Sequence, residues 1–403
     1  MQRILIINTL YSPNIKGGAE IVCQNQAERL AAIGNHVAVL TTTNQHGMIQ
    51  DTVNGLTVYR VQIKNIYWHY SSNKPPQYIR AIWHTLDIYN YRMKKYVRQV
   101  IQRECPDIVI CHNLSGFSIS VLDAIKEFHL PIIQILHDQY FICAKSTAFR
   151  NGNLCKKQCL RCHLMRLLHS KKSNNVDAVV GVSKFVLEKL TKMGYFQNSI
   201  QKVIHNASYI EDLPKTYIWD RKHPLRIGYI GTLSKHKGVE WLIKSFMALK
   251  IDATLTLTGK GDSEEYESEL RYMAAKDKRI TFLGYQLPAT HYQQIDLSVV
   301  PSLWEDSFPT VAFESCAYHV PVIATNMGGL PEIIENGVNG IICNPNDENS
   351  LKDAILQLYN NPELYCRMSG QARDSIKEML DSDNNIAQYD SLIQLLTQEN
   401  SLR

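Results

Sequence analysis

Short β-branched apolar runs alternate with longer stretches of mixed polarity along the whole chain. In the first half, residues 4–7, 36–41, 107–111, 131–136 and 177–182 read as strands, and stretches such as 121–128 and 184–193 as helices between them. The second half continues with strand-like runs at 253–258, 280–283, 297–300, 322–324 and 340–343. Buried helical segments are also apolar over such lengths, but the β-branched content and short spacing favour strands. Strands alternating with helices predict an α/β chain whose parallel sheets are wound on both faces.

Both halves open on the same β-loop-α unit. Ile4-Leu5-Ile6-Ile7 runs into Lys16-Gly17-Gly18-Ala19-Glu20 and a helix ending near Gly34, whereas residues 226–230 run into His236-Lys237-Gly238-Val239-Glu240 and a helix to about Leu249. With 403 residues the chain is long enough for two domains that each bury a core. Residues 1–210 and 225–383 are therefore expected to form two Rossmann-like doubly wound domains facing across a cleft. Residues 211–224, with two prolines and the charged run Asp220-Arg221-Lys222-His223, form the expected linker. Residues 384–403 form a terminal helix with the length to cross back to the first domain. Ligands of such sheets bind at the carboxyl ends of the strands.

The most informative stretch is 301–314, Pro-Ser-Leu-Trp-Glu-Asp-Ser-Phe-Pro-Thr-Val-Ala-Phe-Glu. A strand ends at Val300, and a helix is expected from near Pro309, since proline suits a first turn. Loop amides and a helix N-terminus together make a site for anionic or hydroxyl-rich ligands. Asp306 and Glu314 bracket that entrance, and a carboxylate accepts two hydroxyl donors at once, as a ribose or hexose offers. The stretch resembles the signature of the retaining glycosyltransferases of family GT4, which have the GT-B fold: a Glu, seven residues and a second Glu, after a Pro-Ser pair. Glu314 matches the second Glu, and Asp306 stands where the family usually has the first, with Glu305 beside it. The resemblance implies that Glu314 holds the nucleotide ribose and Asp306, with Glu305, the donor sugar. It further implies that the loop of Phe308, Pro309, Thr310 and Val311 holds sugar hydroxyls through its amides.

Other segments carry the same resemblance in family order. Gly231-Thr232-Leu233 through Lys237-Gly238 is similar to a Gly-Arg-Leu then Lys-Gly pattern whose Arg and Lys clamp the diphosphate; Lys237 is present, Thr232 replaces the Arg, and Lys235 lies nearby. Gly259-Lys260-Gly261 resembles the end of a family strand, Gly284-Tyr285 the turn beside the nucleotide base, and residues 324–332 the turn after the signature helix. Gly17-Gly18 resembles the glycine loop that approaches the donor phosphate and sugar, where two adjacent glycines alone would suggest an ordinary tight turn. His137-Asp138 resembles the position where a His faces donor sugar and acceptor, with Asp138 able to orient the ring or act as a base. His112 is a weaker candidate for the acceptor side, and Glu20 fits a helix first turn. The resemblance thus implies a catalytic set of His137, Asp306 and Glu314. It implies sugar transfer from a UDP- or GDP-sugar with retention, no enzyme nucleophile, and neither catalytic metal nor cofactor.

Cys143, Cys155, Cys159 and Cys162 follow closely on His137. The two-residue gap between Cys159 and Cys162 suits tetrahedral zinc, but the other spacings match no common finger. A structural zinc therefore competes with reduced thiols packed in a loop. Asp381-Ser382-Asp383 looks like a metal-binding Asp-x-Asp, although its place near the C-terminus suits a helix start.

Net charge is +5, yet residues 1–218 carry 26 basic and 13 acidic side chains against 17 and 25 in residues 219–403. Between Gln139 and Val176 there are eight Lys or Arg and no acid, and residues 64–103 mix Lys74, Arg80, Arg92, Lys94 and Lys95 with eight Tyr or Trp. Cations among aromatic rings suit an anionic membrane surface, and inward-packed amphipathic helices are the plainer alternative. No apolar run approaches the roughly 18 residues of a membrane span, and the short N-terminal run is no signal core. The expectation is a cytoplasmic chain, peripheral at the inner face of the membrane, whose saccharide acceptor is lipid-linked. A non-transferring relative such as a sugar-nucleotide epimerase remains an alternative. Nucleic-acid binding is disfavoured because no helix-turn-helix, zinc-finger or ribonucleoprotein signature accompanies the basic run.

Overall fold

The computed structural model describes residues 1–71, 75–150, 152–213, 215 and 218–401. Lys74 and three residues of the expected linker, Pro214, Thr216 and Tyr217, lie outside these described residues. The chain divides into two units: residues 1–148, 156–208 and 382–403, and residues 149–155 and 209–381. The last helix, Ser382–Ser401, is therefore part of the first unit.

The first unit is built on one sheet with strand order Ile200–Val203, Ala178–Gly181, Ile132–Leu136, Ile108–Cys111, Arg3–Ile7, His36–Thr43, Leu56–Gln62, Met48–Val53. All neighbours are parallel except the last pair, an antiparallel hairpin. Ile4, Leu5, Ile6 and Ile7 are all buried, as a strand covered on both faces requires. The apolar pattern misses the interior strand Leu56–Gln62, whose run is broken by Thr57, Arg60 and Gln62, and also Met48–Val53 and Ile200–Val203, which are edge strands. The edge strands are held by backbone pairing, and their side chains stay largely in solvent.

In the second unit the order is Ile280–Gly284, Ala253–Thr258, Leu225–Ile230, Leu297–Val300, Val322–Thr325, Gly340–Cys343, all parallel. Both units are doubly wound α/β, as the alternation of strands and helices predicts.

Each sheet reverses its winding at one place. In the first unit this lies between Arg3–Ile7 and Ile108–Cys111. There Thr9 Oγ1 donates to the Asn113 carbonyl at 2.8 Å and the Asn113 amide to Asn8 Oδ1 at 3.1 Å. In the second unit it lies between Leu225–Ile230 and Leu297–Val300. The amino-terminal side of that junction is closed by Arg226, whose Nη2 meets Asp296 Oδ1 at 2.6 Å.

On the carboxyl side of the second junction two loops pass close together. Gly238, at φ +73°, lies so near that a Cβ would stand 1.9 Å from the Pro301 carbonyl oxygen. The Leu303 amide donates to the His236 carbonyl at 2.9 Å beside it. Only glycine meets both the left-handed backbone and the space. Gly238→Ala is expected to lower stability by about 2 kcal/mol or more, read as a shifted urea midpoint.

Candidate active site

In the second unit Lys237 Nζ donates to Asp306 Oδ2 at 2.5 Å and stands 5.3 Å from the centre of the Trp304 ring. Asp306 is fixed through its backbone, because its carbonyl accepts from the Gly329 amide at 2.8 Å. Gly328, at φ +58°, passes so close that a Cβ would lie 2.1 Å from the same oxygen. The segments around residues 231–238, 301–314 and 324–332 therefore meet at one edge of the sheet.

Helix Thr310–Ala317 starts at that edge with Pro309 as its cap residue, and no side chain caps its first amides. The buried Tyr292 hydroxyl donates to the Val311 carbonyl at 2.8 Å and anchors the first turn. Glu314 is half-buried one turn along, and burial raises its carboxyl above the usual range against the opposing bond from Thr310. Gly231 and Gly284 are both tied to neighbouring strand ends: the Gly231 amide donates to the Thr258 carbonyl at 3.0 Å, and the Gly259 amide to the Gly284 carbonyl at 2.7 Å. Tyr285 beside Gly284 is 74% exposed, leaving its ring face open to a planar group. Thr232 is exposed, and its carbonyl accepts from the Tyr229 hydroxyl at 2.8 Å. Lys235 does not fill the place of the missing Arg, since its Nζ stands over the Tyr266 ring at 5.4 Å.

The first unit places a second group of polar side chains at its own junction. Gly17 is the cap residue of helix Gly18–Ala32, and its amide donates to Glu20 Oε2 at 2.7 Å. Glu20 is thus a buried capping carboxyl, raised above the usual range by that burial. Gly17 has an extended backbone that any residue adopts, so the fold itself does not demand glycine there.

His137 follows strand Ile132–Leu136, and its Nε2 lies 2.8 Å from His112 Nδ1. The second nitrogen of His112 lies 2.9 Å from Gln26 Oε1. An amide oxygen only accepts, so His112 carries its proton on Nε2 and accepts at Nδ1. His137 therefore carries its proton on Nε2 and presents the lone pair of Nδ1. Burial holds both rings neutral, pushing His137 down to about 4 and His112 well below its ordinary value. Gln134 secures the turn, donating from Nε2 to the His112 carbonyl at 2.7 Å.

A family model described as glycosyltransferase family 4 matches residues 16–208, and one described as glycosyl transferases group 1 matches residues 219–375. The chain belongs to this family of glycosyltransferases. It is 29% identical over 334 residues to a 42.6 kDa protein in the cps region of Klebsiella pneumoniae, covering 82% of this chain and 87% of the relative. Among solved structures it superposes with a TM-score of 0.77 on sucrose-phosphate synthase from Thermosynechococcus elongatus, at 18% identity, covering 99% of this chain and 100% of that one. It superposes with a TM-score of 0.73 on Anabaena HepE in complex with UDP and glucose, at 17% identity, covering 98% and 100%. At these identities the structural likeness establishes the fold, which is GT-B.

For this glycosyltransferase the structure changes several expectations about individual residues. His112 is 1% exposed and meets His137, so it supports that ring and is not open to an acceptor. Asp138 Oδ1 accepts from the Tyr140 amide at 2.7 Å and so shapes the turn after His137. The zinc expectation finds no coordination cage. Cys143 and Cys162 bring their sulfurs to 4.0 Å, but among the described residues no three His, Cys, Asp or Glu side chains are placed to hold a metal ion.

Gln26 was not legible as a site residue. Its signal is a polar side chain on the same helix face as Cys23, Ala27 and Leu30, all buried. Because His137 titrates near 4, the acid limb of its pH–rate profile is expected near pH 4, not near 6.5. The same shift makes His137 add stability as pH rises from about 4 to 6.5, where the unfolded chain binds more protons. Gln26→Glu sets a carboxylate against His112 and is expected to move the acid limb up by about one unit. A limb unmoved in that variant would show that the relay does not control the ring.

Proposed function

We propose that this enzyme is a retaining hexosyltransferase that moves a sugar from a UDP- or GDP-sugar to a saccharide acceptor carried on a lipid, in cell-surface polysaccharide assembly. The observation that carries the proposal is the meeting of Lys237, Asp306 and the uncapped start of helix Thr310–Ala317 at one sheet edge, with Glu314 a turn along. An ammonium has three donors, so the bond to Asp306 leaves two for diphosphate oxygens. Helix amides add positive potential where the leaving group gains charge, and such preorganised donors are usually the largest catalytic contribution.

In this proposal Glu314 takes the ribose hydroxyls, and Asp306 with Glu305 takes the donor sugar. The amides of the 308–311 loop hold further sugar hydroxyls, and Gly231, Gly284 and Tyr285 line the nucleotide. In the first unit Gly17 and Gly18 give a phosphate or sugar close access to backbone amides at a helix start. His137 accepts a hydrogen bond from a sugar hydroxyl at Nδ1. As the family resemblance implies, the acceptor hydroxyl attacks on the face the diphosphate leaves; the bond to the diphosphate breaks as the new one forms, the acceptor proton passes to the departing diphosphate, and configuration is retained. The complex of HepE with UDP and glucose supports a UDP-sugar donor, and the relative from a cps region supports polysaccharide assembly.

A panel of UDP- and GDP-sugars is expected to yield one donor from which the enzyme releases nucleoside diphosphate. Glu314→Ala and Lys237→Ala should each slow release by roughly 100-fold or more. Interconversion of the nucleotide sugar without diphosphate release would sink the proposal in favour of an epimerase. Thr232→Arg restores a guanidinium beside the diphosphate on an exposed position. It is expected to lower the KM for donor about tenfold, since charge-assisted bonds to phosphate are about twice as strong as neutral ones.

A further inference from the structure

We infer that Leu160, Leu164, Leu167 and Leu168 form an apolar ridge that inserts into an anionic bilayer and docks the first unit there. The inference deepens the lipid-linked acceptor proposed above and rests on it for its purpose. These leucines are 75%, 53%, 55% and 40% exposed, on the short helix Leu160–Met165 and in the turn that leads into helix His169–Ser173. The polarity of this segment is inverted. Its leucines face solvent while Arg166, His169 and Ser173 point inward and are buried.

The inward anchors fix that orientation. Arg166 Nη1 lies 4.0 Å from Asp87 Oδ2, both side chains fully enclosed, and its guanidinium stands 4.4 Å from the centre of the Tyr140 ring. His169 packs against Tyr140 and Phe141 at 5.5 and 6.1 Å. Rolling the segment over to hide the leucines would leave Asp87 buried without its cation. The ridge is therefore held outward by its own polar side.

Charge names the occupant. Lys156, Lys157, Arg161 and Lys171 are exposed around the leucines, and among the described residues none of them has an acidic partner. No Asp or Glu occurs from 139 to 176. Lysine is depleted in protein–protein interface cores, whereas a cation-rimmed apolar ridge matches anionic headgroups over acyl chains. Helix Gln77–Leu86 adds Tyr78, Ile82 and Leu86, exposed at four-residue steps, and runs into Asp87, the partner of Arg166. The two segments thus meet at that buried pair. Among the described residues no helix is long and apolar enough to cross a membrane, so the contact is peripheral.

The test is co-sedimentation of the full chain with vesicles of phosphatidylglycerol in phosphatidylcholine, against phosphatidylcholine alone. Binding is expected on the anionic vesicles only, weakening as salt rises. The double variant Leu164→Ser, Leu167→Ser should lose at least tenfold in vesicle affinity, with its melting temperature and diphosphate release from soluble donor unchanged. Lys156→Glu with Lys157→Glu should weaken binding similarly and flatten its salt dependence. No binding at low salt, or wild-type binding by the leucine variant, overturns the inference. So does a leucine variant that alters oligomeric state in gel filtration while keeping vesicle affinity, since the ridge would then cover a second copy. Diphosphate release needs no vesicle, so failure of docking with release intact leaves the transferase proposal standing, and the reverse result separates them equally.

Discussion

Where a parallel sheet reverses its winding, the loops leaving two adjacent strands diverge, and the edge between them is left with amides and side chains that no crossover helix covers. Both units of this chain place their polar chemistry there. In the second unit the loops after Leu225–Ile230 and Leu297–Val300 bring Lys237 and Asp306 into contact. In the first, the turns after Arg3–Ile7, Ile108–Cys111 and Ile132–Leu136 bring Gly17, His112 and His137 to the corresponding edge. The sheet order decides which loops can supply functional groups, and the residues then decide the chemistry.

Closeness of backbone, more than charge, sets the second group. Gly238 allows one loop to press on Pro301, and Gly328 allows the 324–332 turn to press on Asp306 from the other side. The Lys237–Asp306 pair sits between two approaches that any Cβ would push apart. A surface ion pair alone contributes little to stability. Here the backbone holds the pair in place, with the ammonium fixed against Asp306. The same logic governs the first unit, where His137 is aimed by a chain of hydrogen bonds through His112 to Gln26. The chain continues to the last helix, whose Tyr389 hydroxyl lies beside the Gln26 amide.

What the sequence showed and what it hid follow from distance along the chain. Glu314, Asp306 and Lys237 could be singled out because each lies in a short segment whose spacing carries its own meaning, and the structure brings Lys237 and Asp306 into contact. Most central strands were legible because burial on both faces leaves a continuous apolar run; Leu56–Gln62 was not, because the buried Arg60 and the polar Thr57 and Gln62 interrupt its run, and Met48–Val53 was not, because its side chains face solvent. The support of His137 by His112 and Gln26 spans separations of 25 and 86 residues, which no local pattern encodes. The rings of residues 64–103 show the limit of composition. Trp83 is buried with its Nε1 donating to the Tyr67 carbonyl at 3.0 Å, and Tyr89 donates to Asp123 at 2.6 Å, so much of that aromatic content is core and scaffold.

Helical spacing of Leu160, Leu164, Leu167 and Leu168 would ordinarily mark a face turned to the core. The structure turns it outward because the alternative face carries Arg166, which Asp87 requires inside. Elsewhere in the first half, several cations are paired. Lys94 and Arg98 are neutralised by Glu127, Lys126 by Asp177, and Lys172 by Asp123. Part of the surplus lies at Lys156, Lys157, Arg161 and Lys171, all exposed beside the exposed leucines. A solubilising surface would mix its cations with acids, and one that only avoided aggregation would not set leucines among them. Cations without acids, around apolar side chains held outward by a buried ion pair, are what a surface needs when its partner is negative on the outside and apolar beneath.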